Sequence, residues 1–189
     1  MIIKKRTLLI LSAILLPMLF TLSGCKNEKK PVVYKEPESS ITKAVAVLEP
    51  VNGSNVHGIV RFNLAQNGIH IIADVVGLSA GKHGFHIHEY GDISSDDGTS
   101  AGGHFNPEGT PHAGPDNPNR HVGDMGNIIS MGGGTAHYEW TDSLMSFTGT
   151  HSIIGRAVVV HQGEDDLTSQ PSGNSGKRVA VGVIGIAKE

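Results

Sequence analysis

A single cysteine, at position 25, leaves this 189-residue chain unable to form an intrachain disulfide. Aromatic residues are scarce, with one Trp, three Tyr and five Phe. Beyond the first two dozen residues no window holds a sustained 3.6-residue apolar period, which argues against a helical body. No internal repeat is visible, which excludes a solenoid. What is abundant points to β structure: 25 Gly, 9 Pro and short runs of Val and Ile suit many short strands joined by turns. The length allows one domain with a proper core and is not comfortable for two.

The long apolar run that does occur is confined to the start. Lys4, Lys5 and Arg6 precede Leu8 to Leu22, and Leu22-Ser23-Gly24-Cys25 follows, the order of an export signal. The run is short for a membrane span and Pro17 interrupts it. Its last four residues resemble the lipobox of bacterial lipoproteins, in which the cysteine becomes the acylated N-terminus. A signal peptide over 1–24 and a lipid anchor at Cys25 are therefore expected, with an extracytoplasmic address at the bacterial envelope. The competing reading of Cys25 is a reactive or metal-binding thiol.

Positive charge is also in short supply. Removal of Lys4, Lys5 and Arg6 takes Lys+Arg from 15 to 12 against 18 Asp+Glu, a net of −6, so nucleic acid is a poor partner. The next segment, KNEKKPVVYKEPESSIT, is charged, carries two prolines and has little to pack, and 25–42 reads as a tether.

From Lys43 to the end, residues 43–189, alternation and turn residues mark eight strands: 44–48, 56–64, 69–76, 83–89, 125–131, 135–140, 156–161 and 179–186. Asn67-Gly68 reads as a hairpin turn, and Gly132 to Gly134 as another. Two long polar segments, 90–122 and 162–177, interrupt the pattern. The expected fold is all-β, an eight-stranded antiparallel Greek-key barrel or immunoglobulin-like sandwich with two long loops.

The histidines carry the chemistry. Eleven are present, and residues 84–124 hold His86, His88, His104, His112 and His121, closed by Asp124. Histidines in loops are usually solvated, and a lone core histidine is usually a hydrogen-bond partner, so spacing must discriminate. His86 and His88 are two apart on a predicted strand and share a face, with Phe85 and Ile87 on the other. His104, His112, His121 and Asp124 come from one loop, which at that length is expected to be functional or disordered, and His161 ends a distant strand. Six histidines and an aspartate exceed the four donors of one tetrahedral zinc, so two metals are implied. An all-imidazole set suits copper, three imidazoles with a carboxylate suit zinc, and one shared histidine stretches seven side chains over eight positions.

The segments GFHIHEYGD, TSAGGHFNP, HVGDMGN, IIGRAVVVH, DDL and RVAVGVIGIA resemble the copper/zinc superoxide dismutase family, in order and spacing, from about Lys43 to Ala187. The resemblance implies that His86, His88, His104 and His161 bind copper and that His104, His112, His121 and Asp124 bind zinc, with His104 bridging. It makes Asp165 the aspartate that accepts hydrogen bonds from His86 and His112, which fixes ring orientation. Arg178 matches the arginine beside the copper channel, and neighbouring Lys177 reads equally as an anion attractor or an ordinary loop lysine. The implied activity is dismutation of superoxide to oxygen and hydrogen peroxide by copper cycling. On the mechanism the resemblance implies, His104 would let go of copper on reduction, take up a proton and deliver it in the second half, and zinc would be structural. A homodimer is an open expectation, and a non-enzymatic copper/zinc-binding paralogue is the alternative.

The match departs in two places. Where family members carry a disulfide tying the long loop to the last strand, this chain has Gly98 and Val181, so order in 90–122 is expected to depend on metal. The loop after His161 lacks the acidic and lysine steering cluster of many eukaryotic members. His83 is expected to be structural, and His57, His70, His137 and His151 exposed.

Overall fold

A computed structural model describes residues 41–188. The segment expected to be a signal peptide, Cys25 and all of the expected tether except Ile41 and Thr42 lie outside the described residues. Nine strands follow in order: β1 Lys43–Pro50, β2 His57–Ala65, β3 Gly68–Val76, β4 Gly81–His88, β5 Asp124–Ser130, β6 Thr135–Asp142, β7 Ala157–His161, β8 Arg178–Val183 and the two-residue β9 Gly185–Ile186. A 3₁₀ turn at Thr99–Ala101 is the only helix among the described residues.

Every pairing between these strands is antiparallel, and the first eight strands close on themselves in the order β1-β2-β3-β6-β5-β4-β7-β8. The steps from β3 to β6 and from β4 to β7 are the Greek-key crossovers. Closure is uneven. β5 and β6 share two residue pairs, as do β1 and β8, whereas β3 and β6 share eight. The barrel is therefore flattened into two four-stranded walls joined at thin seams, which reconciles the barrel and sandwich expectations.

The interior is filled by one face of each strand, with Ala46, Val60, Phe62, Ile71, Phe85 and Ile128 inaccessible to solvent. Packing begins before β1, since Ile41 leans on this core and the Thr42 carbonyl accepts from Leu64 N.

Two details differ from the sequence reading. The β2–β3 turn is centred on Gln66-Asn67, with Ala65 and Gly68 already paired. Gly68 has φ 132°, and a Cβ there would lie 2.0 Å from the Asp142 carbonyl, so its glycine serves close strand approach. The last strand is also not continuous: Ile184 turns inward and is buried, and β9 crosses to pair with β1.

Strand β4 explains where function is mounted. Residues His83 to His88 are all buried, so alternation in burial vanishes. Phe85 and Ile87 enter the barrel core, while His86 and His88 are covered from outside by the long loops. Register shifts occur at Gly84/His86 against β5 and at Val160/His161 against β8, beside the functional side chains they re-aim.

Candidate metal centre

The structure gathers the predicted histidines into two adjoining sets. His86, His88, His104 and His161 form one, and His104, His112, His121 and Asp124 the other; within each, the candidate donor atoms lie within 4.8 Å of one another. His86 and His88 come from β4, and His161 from the end of β7. His104 is brought in by an isolated bridge with His88. His112 and His121 are supplied by the loop, and Asp124 is the first residue of β5.

In the four-histidine set each ring is oriented by one nitrogen so that the other is presented inward. His86 Nε2 pairs with Asp165 Oδ2 at 2.8 Å, His88 Nδ1 with the Gly102 carbonyl at 2.8 Å, and His161 Nδ1 with the Gly176 carbonyl at 3.1 Å. His104 directs Nδ1 at Asp124 Oδ1, 2.8 Å away. His86 Nδ1 and His104 Nε2 are left buried with no hydrogen-bond partner. A buried imidazole nitrogen without a partner is costly, and a metal relieves that cost.

The second set converges on one oxygen. His104, His112 and His121 bring Nδ1 to 2.8, 3.0 and 3.2 Å from Asp124 Oδ1. For His112 and His121 these are approaches without hydrogen-bond alignment, since both Nδ1 atoms remain unpartnered. The nitrogens therefore aim at a common centre, which fits a tetrahedral cation with three imidazoles and one carboxylate. The other carboxylate oxygen, Asp124 Oδ2, accepts from Ala113 N and His121 N.

Asp165 links the sets. Its second oxygen pairs with His112 Nε2 at 2.9 Å, so one buried carboxylate orients a ring in each. A Cβ at Gly173 would lie 1.8 Å from Asp165 Oδ1, so only glycine lets the backbone cover this pair.

The two sets differ electrostatically. Burial, then the charge of His104, pushes the His86 imidazole down to about 3. Burial pushes His161 down to about 4 and His88 well below its ordinary value, and lowers His104 despite Asp124 beside it. For His112 burial also acts downward, but Asp124 and Asp165 outweigh it and raise the ring to about 9. Burial would raise both aspartates, yet their histidine partners hold each well below the usual carboxylate range.

A cavity of about 370 Å³ opens onto this centre, lined by His88, His104, His121, His161, Ser172 and Arg178 among others. Arg178 donates Nη1 to the Gly98 carbonyl and Nη2 to the Gly102 carbonyl. Lys177 is exposed and does not line the cavity. His83 is buried and bonds the Ser79 and His161 carbonyls, the expected structural role. His57 and His137 are exposed, whereas His70 and His151 are half-buried and paired to Glu139 and Glu108.

Sequence reasoning missed how the loop is pinned. Arg120, buried, places Nη2 2.5 Å from the buried Asp142 carboxylate and donates to the carbonyls of Pro115 and His121. An arginine one residue before a predicted ligand was the available signal.

A Greek-key barrel with two adjoining nitrogen-rich sets that share one imidazole defines a class, the β-barrel proteins that hold two metals side by side. Comparison with known proteins narrows it. Residues 56–184 match the family model described as copper/zinc superoxide dismutase (SODC). A superoxide dismutase [Cu-Zn] from Paramecium bursaria Chlorella virus 1 is 46% identical over 157 residues, covering 79% of this chain and 83% of its own. An extracellular superoxide dismutase [Cu-Zn] from Brugia pahangi is 42% identical over 160 residues, covering 78% and 79%. Among solved structures, the clock protein EA4 has a TM-score of 0.73 at 40% identity, covering 79% of this chain and 98% of that one. The chain belongs to the copper/zinc superoxide dismutase family. Its activity is the dismutation of superoxide, with copper and zinc as cofactors.

Proposed function

We propose that His86, His88, His104 and His161 hold copper, that His104, His112, His121 and Asp124 hold zinc, and that His104 serves both. The observation that carries this reading is the division of the ring nitrogens. In His86, His104 and His112 one nitrogen pairs with a buried carboxylate, while His86 Nδ1, His104 Nε2, His112 Nδ1 and His121 Nδ1 are buried with no hydrogen bond. Copper supplies the one-electron couple by which two superoxide anions and two protons become oxygen and hydrogen peroxide, and zinc contributes charge without redox chemistry.

The chain's own groups prepare that chemistry. The Gly102 and Gly176 carbonyls accept Nδ1–H of His88 and His161, which leaves Nε2 of each as the free donor. His104 Nε2 is the atom suited to carry a proton toward the reduced product, because it is buried and its ring lines the cavity. Arg178 orients the anion at the mouth. With the mature chain near −6 the far field repels superoxide, so local focusing by this guanidinium matters more than net charge.

The proposed organisation is a signal peptide over 1–24, a tether over 25–42 with a lipid on Cys25, and the enzyme domain over 43–189. The Leu22–Cys25 run supports anchoring to a bacterial envelope, and the extracellular naming of the Brugia pahangi relative supports an extracytoplasmic address. Val47, Val183 and Ile186, exposed on neighbouring strands, support a homodimer through that face.

The test is superoxide turnover of the full chain loaded with both metals, beside the His88→Gln variant, with metal content measured in each. Loss of turnover in the variant with zinc retained is expected. Full turnover in the variant, or none in a parent that holds both metals, overturns the assignment. Fatty-acid labelling that survives Cys25→Ala removes the anchor.

A further inference from the structure

The turn between β1 and β2 lies far along the chain from every proposed ligand, yet it grips the backbone that carries Arg178. Asn52 Nδ2 donates to the Arg178 carbonyl at 2.9 Å and to the Asp97 carbonyl at 3.1 Å. Asn52 N donates to the Asp96 carbonyl at 3.0 Å. Ser54 Oγ and Val51 N both donate to the Val179 carbonyl. One carboxamide thus bridges the start of β8 and the segment just before Gly98. Two carbonyl acceptors require a side chain with two N–H donors on one atom at short reach, which asparagine supplies and aspartate does not. Asn52 also sits at φ 55°, a left-handed conformation that asparagine tolerates better than most residues.

The geometry beyond Asn52 makes the grip consequential. The Gly98 carbonyl receives Arg178 Nη1, so the loop that Asn52 holds at Asp97 is the loop that seats the guanidinium. Gly98 is packed on β8, where an added Cβ would lie 2.9 Å from Val181 Cγ1 and 3.3 Å from Arg178 Cδ. These are the two positions at which the resemblance expects a disulfide. Here they meet as glycine against valine, and Val51, Val159 and Val181 form a small cluster beneath.

We propose that Asn52 is a positioning residue for Arg178, joining by hydrogen bonds the loop and strand that a disulfide would otherwise join. The inference rests on the reading of Arg178 as the group that orients the anion. Asn52 touches neither metal donors nor substrate; it sets the separation between the Arg178 backbone and the Gly98 carbonyl that receives its side chain.

The experiment uses the full chain loaded with copper and zinc, with azide as the anion probe followed by the copper absorption. Amide hydrogen exchange at Gly98, Ala101 and Gly102, whose N–H groups close the turn, supplies a second readout with and without metals. Asn52→Asp keeps the shape and the tolerance of positive φ but removes both donors, and Asn52→Gly keeps the backbone conformation alone. Both are expected to weaken azide binding about threefold to tenfold and to speed exchange at those amides, with metal content unchanged. In an Arg178→Ala background the same substitutions are expected to add no further loss of azide affinity. Parent-level affinity or exchange in Asn52→Asp overturns the proposal, as does an equal loss in the presence and absence of Arg178. If Arg178→Ala itself leaves azide affinity unchanged, the fault lies with the reading of Arg178.

Discussion

The two donor sets share His104 but are built by opposite means. The four-histidine set is mounted on the barrel, with His86 and His88 on β4 and His161 on β7, so strand pairing sets the donor positions. The other set draws His112 and His121 from the loop and is gathered by buried charge, with Asp124 inside it and Arg120 bound to Asp142 beneath. Their protonation differs accordingly. An all-imidazole group in a dry setting disfavours protons, whereas His112 between two carboxylates retains one. A site for a redox ion benefits from rigid neutral donors, and a loop-borne site can be assembled by the ion it holds.

The sharpest way to separate the sets is to remove a donor that belongs to one only. His161→Ala is expected to lower superoxide turnover by about a thousandfold or more while zinc content stays near the parent value, read by pulse radiolysis and elemental analysis. Loss of both metals together would show that the sets do not behave independently.

Arg120→Ala attacks the loop set from below. It strands the buried Asp142 carboxylate, and the expected cost is about 3 to 5 kcal/mol in denaturant unfolding of the metal-free protein. Exchange should rise across the loop and stay low in β4 and β7; uniform loosening would mean that loop and barrel unfold as one.

Asp165→Asn tests the link between the sets. It retains the shape but weakens the orientation of His86 and His112, with metal affinity expected to fall about tenfold to a hundredfold at both sites. An effect on one metal alone would break the symmetry of this bridge.

Acid and alkali should divide the sets again in the metal-free protein. His86 and His161 have folded values near 3 and 4, below their ordinary 6.5, so the stability they contribute is full above about pH 6.5 and is lost as pH falls toward those values. His112 is raised to about 9, so its contribution is full below 6.5 and is lost as pH rises through 9. Unfolding free energy measured against pH should therefore fall on both sides; a curve flat on the alkaline side would remove the charge argument for the loop set. The smallest effect is expected from Lys82→Ala. Its 2.6 Å ion pair with Glu164 is half exposed and belongs to neither set, so unfolding should change by no more than about 1 kcal/mol.

Much of this was legible in the residue order because the signals are local. Strand alternation placed eight strands close to their observed bounds, and His86-x-His88 needed only the two-residue period of β4 to share a face. The break at Ile184 was not legible, because whether a valine-rich strand continues or crosses to β1 depends on barrel closure. Arg120 was hidden for a similar reason. In sequence it is one charge in a polar loop, and only the fold brings Asp142 beneath it from the end of β6.

Beside the metal on which order in the long loop is expected to depend, Asn52, Arg178 and Arg120 all hold its backbone. By itself the sequence determined the fold class and the candidate donors, because these follow from period, composition and spacing along the chain, while the family resemblance rested on the ordered motifs from GFHIHEYGD to RVAVGVIGIA. Tertiary structure alone decided which nitrogen of each ring is free, that Asp165 reaches both sets, and that a turn at Asn52 seats Arg178. Those facts depend on distances between segments up to 126 residues apart, which no local pattern encodes.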